Sequence, residues 1–489
     1  MTKEEGWAHA HRVIKRITPP SFPDHVFNIL AYGAVGDGVT DCTDAFRQAI
    51  EDCSFAGGGR VLVPPGGVFL TGPIVLLSTI NVHVSETATV LFKQDPSAYL
   101  PLVQTRWEGV ELMNYSPLIY AWNQSNIAIT GRGTLDGNAN ESMWWDWKYG
   151  PQDAGRRLLF QMATENVPVK DRKFGDSYFL RPSFVEPYLC TNILIEGVQI
   201  VNSPMWAIHP TLSDNIIVRG VSVDSRGPNN DGVDPESCRD VLIENSVFNT
   251  GDDCVAIKSG RGDDGRRLDR PSTNIFIRNC TMKDGHGGLS VGSEIAAGVQ
   301  HVYAEDCHWN SPNLRYGFRI KSNPLFGGRA ENIYLRNIRM NDVGRAAIRI
   351  DFKYEDTDRG QYMPHASNIF IQGVSSERSG FALHFDGLAR GLAQNITIRN
   401  CTFLNVENHN IIKHIDGMVL DNVVIDYVPK SFGPVMVTFM FLFMVVVYAD
   451  FVEWFGKRRR VYLPVIEMQD TDMKHYRRDR RSGKQRNRR

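Results

Sequence analysis

Residues 192–220 read NILIEGVQIVNSPMWAIHPTLSDNIIVRG. The opening Asn192-Ile193-Leu194-Ile195 returns as Asn215-Ile216-Ile217-Val218, and the same short run stands at Asn126-Ile127-Ala128-Ile129 and Asp240-Val241-Leu242-Ile243. It continues through Asn274-Ile275-Phe276-Ile277, His301-Val302-Tyr303, Asn332-Ile333-Tyr334-Leu335, Asn368-Ile369-Phe370-Ile371 and Asn395-Ile396-Thr397-Ile398, with a period of roughly 23 to 36 residues. Each run is too short to bury its own apolar face, so successive copies must stack. The Asn or Asp that opens most of them suits a turn, and identical side chains one repeat apart can form a ladder. Leucine-rich repeats are the nearest rival, but their Leu-x-x-Leu-x-Leu consensus is absent. The reading is an all-β chain forming a single-stranded, right-handed parallel β-helix over 27–427. Irregular spacing implies loops of unequal length on one face, where a binding cleft is usually built.

Working outward, residues 1–26 read as a lead-in made extended by Pro19, Pro20 and Pro23, and Phe27-Asn28-Ile29 as the first strand. The glycine spacing of Gly33 to Gly38 faintly suggests a nucleotide loop. The segment Asp41–Cys53 explains it better: Ala45, Phe46, Ala49, Ile50 and Cys53 share one side, and Asp41 suits an N-cap. That helix would cover the open end of the stack, which otherwise exposes strand edges. The longest break in the repeat, Gly137 to Phe179, holds Trp144, Trp145, Trp147, Arg156 and Arg157 and reads as an insertion loop whose tryptophans pin it to the body. Residues 428–489 form an atypical tail: an apolar run over 435–449, then Lys457-Arg458-Arg459-Arg460. That run is short for a membrane span, which needs about 20 residues, so membrane contact is not favoured. Deleting the tail from Gly433 on is expected to leave a soluble, active protein.

The 489 residues carry a formal net charge of −1. The basic end from Lys457 holds about nine net positive charges, leaving the body near −10. An acidic body argues against nucleic-acid binding, whereas a local Arg/Lys pair can still draw an anion into a cleft. Eight cysteines in so long a chain are no disulfide scaffold, and none has zinc spacing. Cys238, Cys280, Cys307 and Cys401 adjoin strand runs and read as small buried residues. Met1 to Lys15 mixes charged and apolar residues and does not read as an export leader.

The chemistry concentrates in 229–260, NNDGVDPESCRDVLIENSVFNTGDDCVAIKSG. The acidic turn at Asn229-Asn230-Asp231-Gly232 precedes a second at Gly251-Asp252-Asp253 by one strand and turn. Stacking brings the three carboxylates together, and crowded carboxylates cannot all ionise cheaply, so one keeps a proton. A protonated acid beside ionised partners suits glycosidic cleavage. Downstream, Gly285-His286-Gly287 and Arg319-Ile320-Lys321 each follow or close a strand-like run. In the order NxD, GDD, GHG and RIK, these motifs resemble the polygalacturonases, glycoside hydrolase family 28, over about Phe22 to Tyr427, and most nearly their bacterial exo-acting branch. Asn230 departs from the threonine usual in the first motif, while the acid at Asp231 is kept.

The resemblance implies hydrolysis of α-1,4-galacturonosyl linkages in pectin or oligogalacturonides, with inversion, without metal or cofactor, by a monomer acting outside the cytoplasm. It makes Asp252 the general acid, Asp231 and Asp253 the groups that activate water, and His286 a neighbour that sets the acid's proton. Asn229, Arg319, Lys321 and Tyr354 would contact substrate. Alternate residues of one strand share a face, which presents Arg319 and Lys321 together, and a guanidinium matches a carboxylate bidentately. Two rivals are a calcium-dependent pectate lyase and a non-catalytic polysaccharide-binding β-helix. The first would use the carboxylates as ligands; the second has no need of three acids, a histidine and an Arg/Lys pair on neighbouring coils.

Overall fold

The computed structural model describes residues 3–391 and 393–429, with the backbone of 460–463 and 466–468. The repeated runs become the rungs of a parallel β-helix. Ile193 pairs with Ile216, Ile216 with Val241, Val241 with Ile275, and the register continues through Val302, Ile333, Ile369 and Ile396 to Met418. These inward residues are buried in one continuous apolar core. Most residues that open the runs adopt a left-handed backbone, Asn192, Asn215, Asp240, Asn274, Asn332, Asn368 and Asn395 among them. Asn and Asp tolerate that conformation best after glycine. Their side chains also form the expected ladder: Asn192 donates to Asn126 at 2.9 Å, Asn215 to Asn192 at 2.8 Å and Asn274 to Asp240 at 2.7 Å.

Four helices flank the described solenoid: α1 (Lys3–Ile14), α2 (Thr43–Phe55), α3 (Gln152–Thr164) and α4 (Gly262–Leu268). Helix α2 buries Ala45, Phe46, Ala49, Ile50 and Cys53 and covers the first coil, as its pattern implies. It starts two residues later than expected. Cys42 occupies the N-cap without a side-chain bond, while Asp41 accepts from the Thr43 backbone N–H at 3.0 Å. The first strand is Val26–Asn28, because Ile29 already begins a short 3-10 turn capped by Asn28.

The lead-in is not wholly extended. Helix α1 buries Trp7, Ala10 and Val13 against the outer face of the run strands. There Phe276, Tyr303, Tyr334 and Phe370 stack rung over rung at 5.0 to 5.1 Å. The 137–179 break is also more ordered than a loop, since it contains α3. Trp144 is buried against Tyr99, Tyr115 and Trp147, and Trp145 donates its indole N–H to the Ser203 carbonyl at 2.8 Å, so both pin the insertion. All eight cysteines are buried and unpaired. At the far end, Arg460–Leu463 and Ile466–Met468 run antiparallel to the last long strand, Ile415–Tyr427. The apolar run 435–449 lies outside the described residues. Among those described, no helix is long and apolar enough to cross a membrane.

Candidate active site

One ladder of the solenoid faces a cleft. Val185, Ile208, Val233 and Val255 pair in succession, and Val255–Ile257 leads to Gly285–Val291 and then Leu314–Lys321. Asp231 and Asp252–Asp253 sit in the turns that feed two adjacent rungs. The Gly232 N–H donates to the Asp253 carbonyl at 3.0 Å, and Asp252 N–H to the Asn230 carbonyl at 3.3 Å. Glycine is required at these crossings. A Cβ on Gly251 would meet the Gly227 carbonyl oxygen at 2.1 Å, and one on Gly232 the Cys254 carbonyl oxygen at 2.4 Å. Asn230 serves the turn itself, accepting from Ser225 Oγ at 2.6 Å and the Gly227 N–H at 2.9 Å.

The result is that one oxygen from each of Asp231, Asp252 and Asp253 lies within 4.8 Å of the others. His286 is held against Asp252 twice: its backbone N–H donates to the Asp252 carbonyl at 2.9 Å, and Nδ1 lies 2.9 Å from Oδ1. The flanking glycines admit this approach, since a Cβ on Gly285 would lie 2.8 Å from the Asp252 carbonyl and one on Gly287 2.8 Å from Asp253 Oδ1. Lys321 Nζ reaches Asp253 Oδ2 at 2.7 Å. Asn229, Asp231, Asp252, Lys321 and Tyr354 line the cleft. Arg319 is not among those lining residues; its guanidinium lies 4.5 Å from the Tyr316 ring, 5.1 Å from the Tyr354 ring and 3.1 Å from Asp351. Asn229 is not free, because its Oδ1 accepts from Arg181 at 2.8 Å.

Protonation departs from the expectation that Asp252 holds the spare proton at rest. Burial would raise Asp252, but the His286 hydrogen bond and charge, with Lys321 and Lys258, outweigh it and hold the carboxyl well below its usual range. Asp231 is the one pushed far up, by burial first and then by the charges of Asp234 and Asp252. The expectation of one raised carboxyl therefore falls on Asp231, which is buried without a cation in contact among the described residues, whereas buried Asp253 is held by Lys321. Asp252 retains some exposure and an imidazole partner.

Several participants went unnoticed in the sequence. Lys258, buried over the Trp206 ring at 4.4 Å, lies 3.6 Å from Asp234 and 3.2 Å from Glu294. Burial pushes Asp234 up to about 7 despite Lys258. Glu108, Arg156, Arg261 and Glu294 also line the cleft. Asp234 and Lys258 both fall within 229–260, and the two-residue period places Lys258 outward beside the Glu236 rung. Glu108 and Glu294 carry no such local signal. Arg181 ties the site to the insertion, donating to Gln152 of α3 at 2.8 Å as well as to Asn229.

Acids on neighbouring coils of a parallel β-helix, with Lys321 against one of them, form a cluster suited to acid–base chemistry. The sequence profile of glycosyl hydrolases family 28 matches residues 53–384, and the chain belongs to that family. A Vitis vinifera protein named "Probable polygalacturonase" is 30% identical over 77% of this chain and 74% of its own. The "Exo-poly-alpha-D-galacturonosidase" of Dickeya chrysanthemi is 30% identical over 68% of this chain and 58% of its own. Among solved structures, a hyperthermoactive exopolygalacturonase from Thermotoga maritima superposes with a TM-score of 0.83 at 38% identity, covering 94% of this chain and 100% of that one.

Proposed function

We propose that this family 28 hydrolase cleaves α-1,4-galacturonosyl linkages of polygalacturonate from a chain end, by direct displacement by water with inversion. The observation that carries the reading is the cluster of Asp231, Asp252 and Asp253 within 4.8 Å, with Lys321 held against Asp253. The exo character is supported by the Dickeya and Thermotoga relatives.

Asp252 acts as the acid. Its side chain is 17% exposed at the cleft and touches the His286 imidazole, while Asp253 is fully buried against Lys321. Burial and the charges of Asp234 and Asp252 favour a proton on Asp231 in the resting cluster. In the reactive state Asp252 carries the proton and gives it to the leaving oxygen, while ionised Asp231, with Asp253, takes a proton from the attacking water. The imidazole of His286, when protonated, stabilises Asp252 once its proton has left. Lys321 and Arg319 supply the field for the uronate carboxylate.

A second reading has a specific observation behind it. A carboxyl separation within 4.8 Å is nearer the roughly 5 to 5.5 Å of retaining enzymes than the roughly 6.5 to 9.5 Å of inverting ones. Retention needs a carboxylate that reaches the anomeric carbon. Asp253 has both oxygens enclosed, one on Lys321, and Asp231 is 2% exposed, so water is the better nucleophile. Proton NMR of the first product decides: the β anomer supports inversion, and the α anomer establishes retention. A polymeric substrate supports action outside the cytoplasm, where pectin is met directly.

A further inference from the structure

The cleft walls carry five cations, and four of them are already committed to carboxylates. Arg156 pairs with Glu108 at 3.0 Å, Lys258 with Glu294 at 3.2 Å, Arg261 with Glu294 at 3.5 Å and Lys321 with Asp253 at 2.7 Å. The fifth is Lys148, half-buried in the short turn Asp146–Tyr149. Among the described residues it has no ion-pair partner, although it lines the same cleft as Asp231 and Asp252.

Its position is fixed by a built contact. Trp145, three residues before it, donates to the Ser203 carbonyl at 2.8 Å, and its ring lies where a Cβ on Gly227 would be, at 2.2 Å. The Lys148 N–H closes the turn onto the Trp145 carbonyl at 3.2 Å. Ser203 and Gly227 belong to the coils just before the first acidic turn, whereas Lys321 stands two rungs after Val255–Ile257. At about 4.8 Å per rung the Lys321 backbone is roughly 10 Å beyond the Val255–Ile257 rung, and its side chain reaches back to Asp253 from that far side. Lys148 is thus anchored, through Trp145, to coils that precede the catalytic carboxylates, and it lines the cleft with Asp231 and Asp252. The insertion that bears it is tied down again by Arg156, which reaches Glu108 in the floor and Glu355 in the turn after Tyr354, the latter at 3.8 Å.

We propose that Lys148 binds the carboxylate of the sugar unit on its own side of the cleaved bond, so that two consecutive uronate units are recognised, one by Lys148 and one by Lys321 with Arg319. The inference rests on the galacturonan reading above and adds a second subsite to it. An uncommitted ammonium in a cleft crowded with carboxylates has an anionic substrate as its natural partner. It also offsets the repulsion that the buried acids exert on that anion.

The test is steady-state kinetics of Lys148→Met and Lys148→Arg on short galacturonate oligomers, at low and high salt. Lys148→Met is expected to raise KM about tenfold with kcat within about twofold, the split that marks loss of uniform binding. It should also flatten the salt dependence of kcat/KM, while Lys148→Arg stays within about threefold of wild type. Oligomers carrying a single methyl ester on one or the other unit flanking the bond provide the second readout. One ester should weaken wild type about as much as Lys148→Met does, and add nothing in that variant. An unchanged KM in Lys148→Met, or an ester penalty that survives in it at both positions, overturns the assignment. Wild-type enzyme that leaves galacturonate oligomers uncut overturns the galacturonan reading and this subsite with it. Cleavage by wild type with an indifferent Lys148→Met overturns the subsite alone.

Discussion

At Asp252 the question is whether a carboxylate held low by its neighbours can serve as an acid. Burial and the neighbouring charges of Asp234 and Asp252 favour the protonated form of Asp231, so the cluster can supply a proton beside Asp252. Asp252→Asn keeps the shape but cannot donate, and turnover on polygalacturonate should fall by about 10² to 10⁴. A substrate with an activated aryl leaving group should recover most of that loss in Asp252→Asn and none of it in Asp231→Asn. Equal rescue of both variants would mean that the roles are not divided in this way. The lyase rival is tested at the same residues. The three carboxylates stand close enough to hold a cation, so a chelator that abolished activity and an unsaturated product would replace hydrolysis by elimination. The expected outcome is unchanged turnover in chelator and a saturated product. The residue types of this site were legible in the sequence because turns concentrate them. The location of the proton was not, because it depends on burial and on Lys258 and Asp234, whose roles appear only when rungs stack.

Among the elements, the sheet that bears the cleft continues downward into a buried ionic network. His209 lies 2.9 Å from Glu236 and 3.6 Å from Glu186, and Arg106 lies 3.5 Å from Glu236, all fully buried. Burial alone would lower His209, but hydrogen bonds and charge from Glu186 and Glu236 raise it to about 9 from 6.5. Its contribution to stability is therefore complete below about pH 6.5 and fades as pH rises toward 9, because the folded state then binds the extra proton. Thermal midpoints of wild type should decline across that window, and His209→Gln should lose this part of the decline. A wild-type midpoint flat from pH 6.5 to 9 would contradict it. The run strands were legible because inward Ile and Val recur with their turn Asn. Helix α1 was not, because its apolar face is narrow and its partner surface, Tyr303 and Tyr334, exists only once the rungs align. Helix α3 was hidden in the same way: Leu159 and Ala163 pack on Trp107 and Val110, far away in sequence.

Taken as a whole molecule, the solenoid is clasped at the side by α1 and at its first coil by α2. Trp7→Ala would uncover the Phe276–Tyr303–Tyr334 stack and remove the ring beneath the Arg336 guanidinium, 3.8 Å away. Loss of a buried tryptophan costs about 3 to 5 kcal/mol, so the thermal midpoint should drop by several degrees with kcat preserved. An unchanged midpoint would show that α1 is an ornament. Removing 430–489 takes away none of the cleft residues identified among the described ones, and activity should persist. It does unpair the outer edge of Ile415–Tyr427 from its two antiparallel strands, so the truncated enzyme should self-associate more readily on size exclusion.

The asparagine ladder carries a consequence for how such a chain can change length. Each coil meets mainly the coils before and after it, and most bring their own left-handed turn residue and an amide to join the row. A duplicated coil inserted after Asn368, beyond the turn bearing Tyr354, would find the same rails on both sides and leave the catalytic rungs in place. In a globular core the natural quantum of insertion is a loop. Here it is a full turn of the spiral, so this architecture can grow by whole coils while its chemistry stays put.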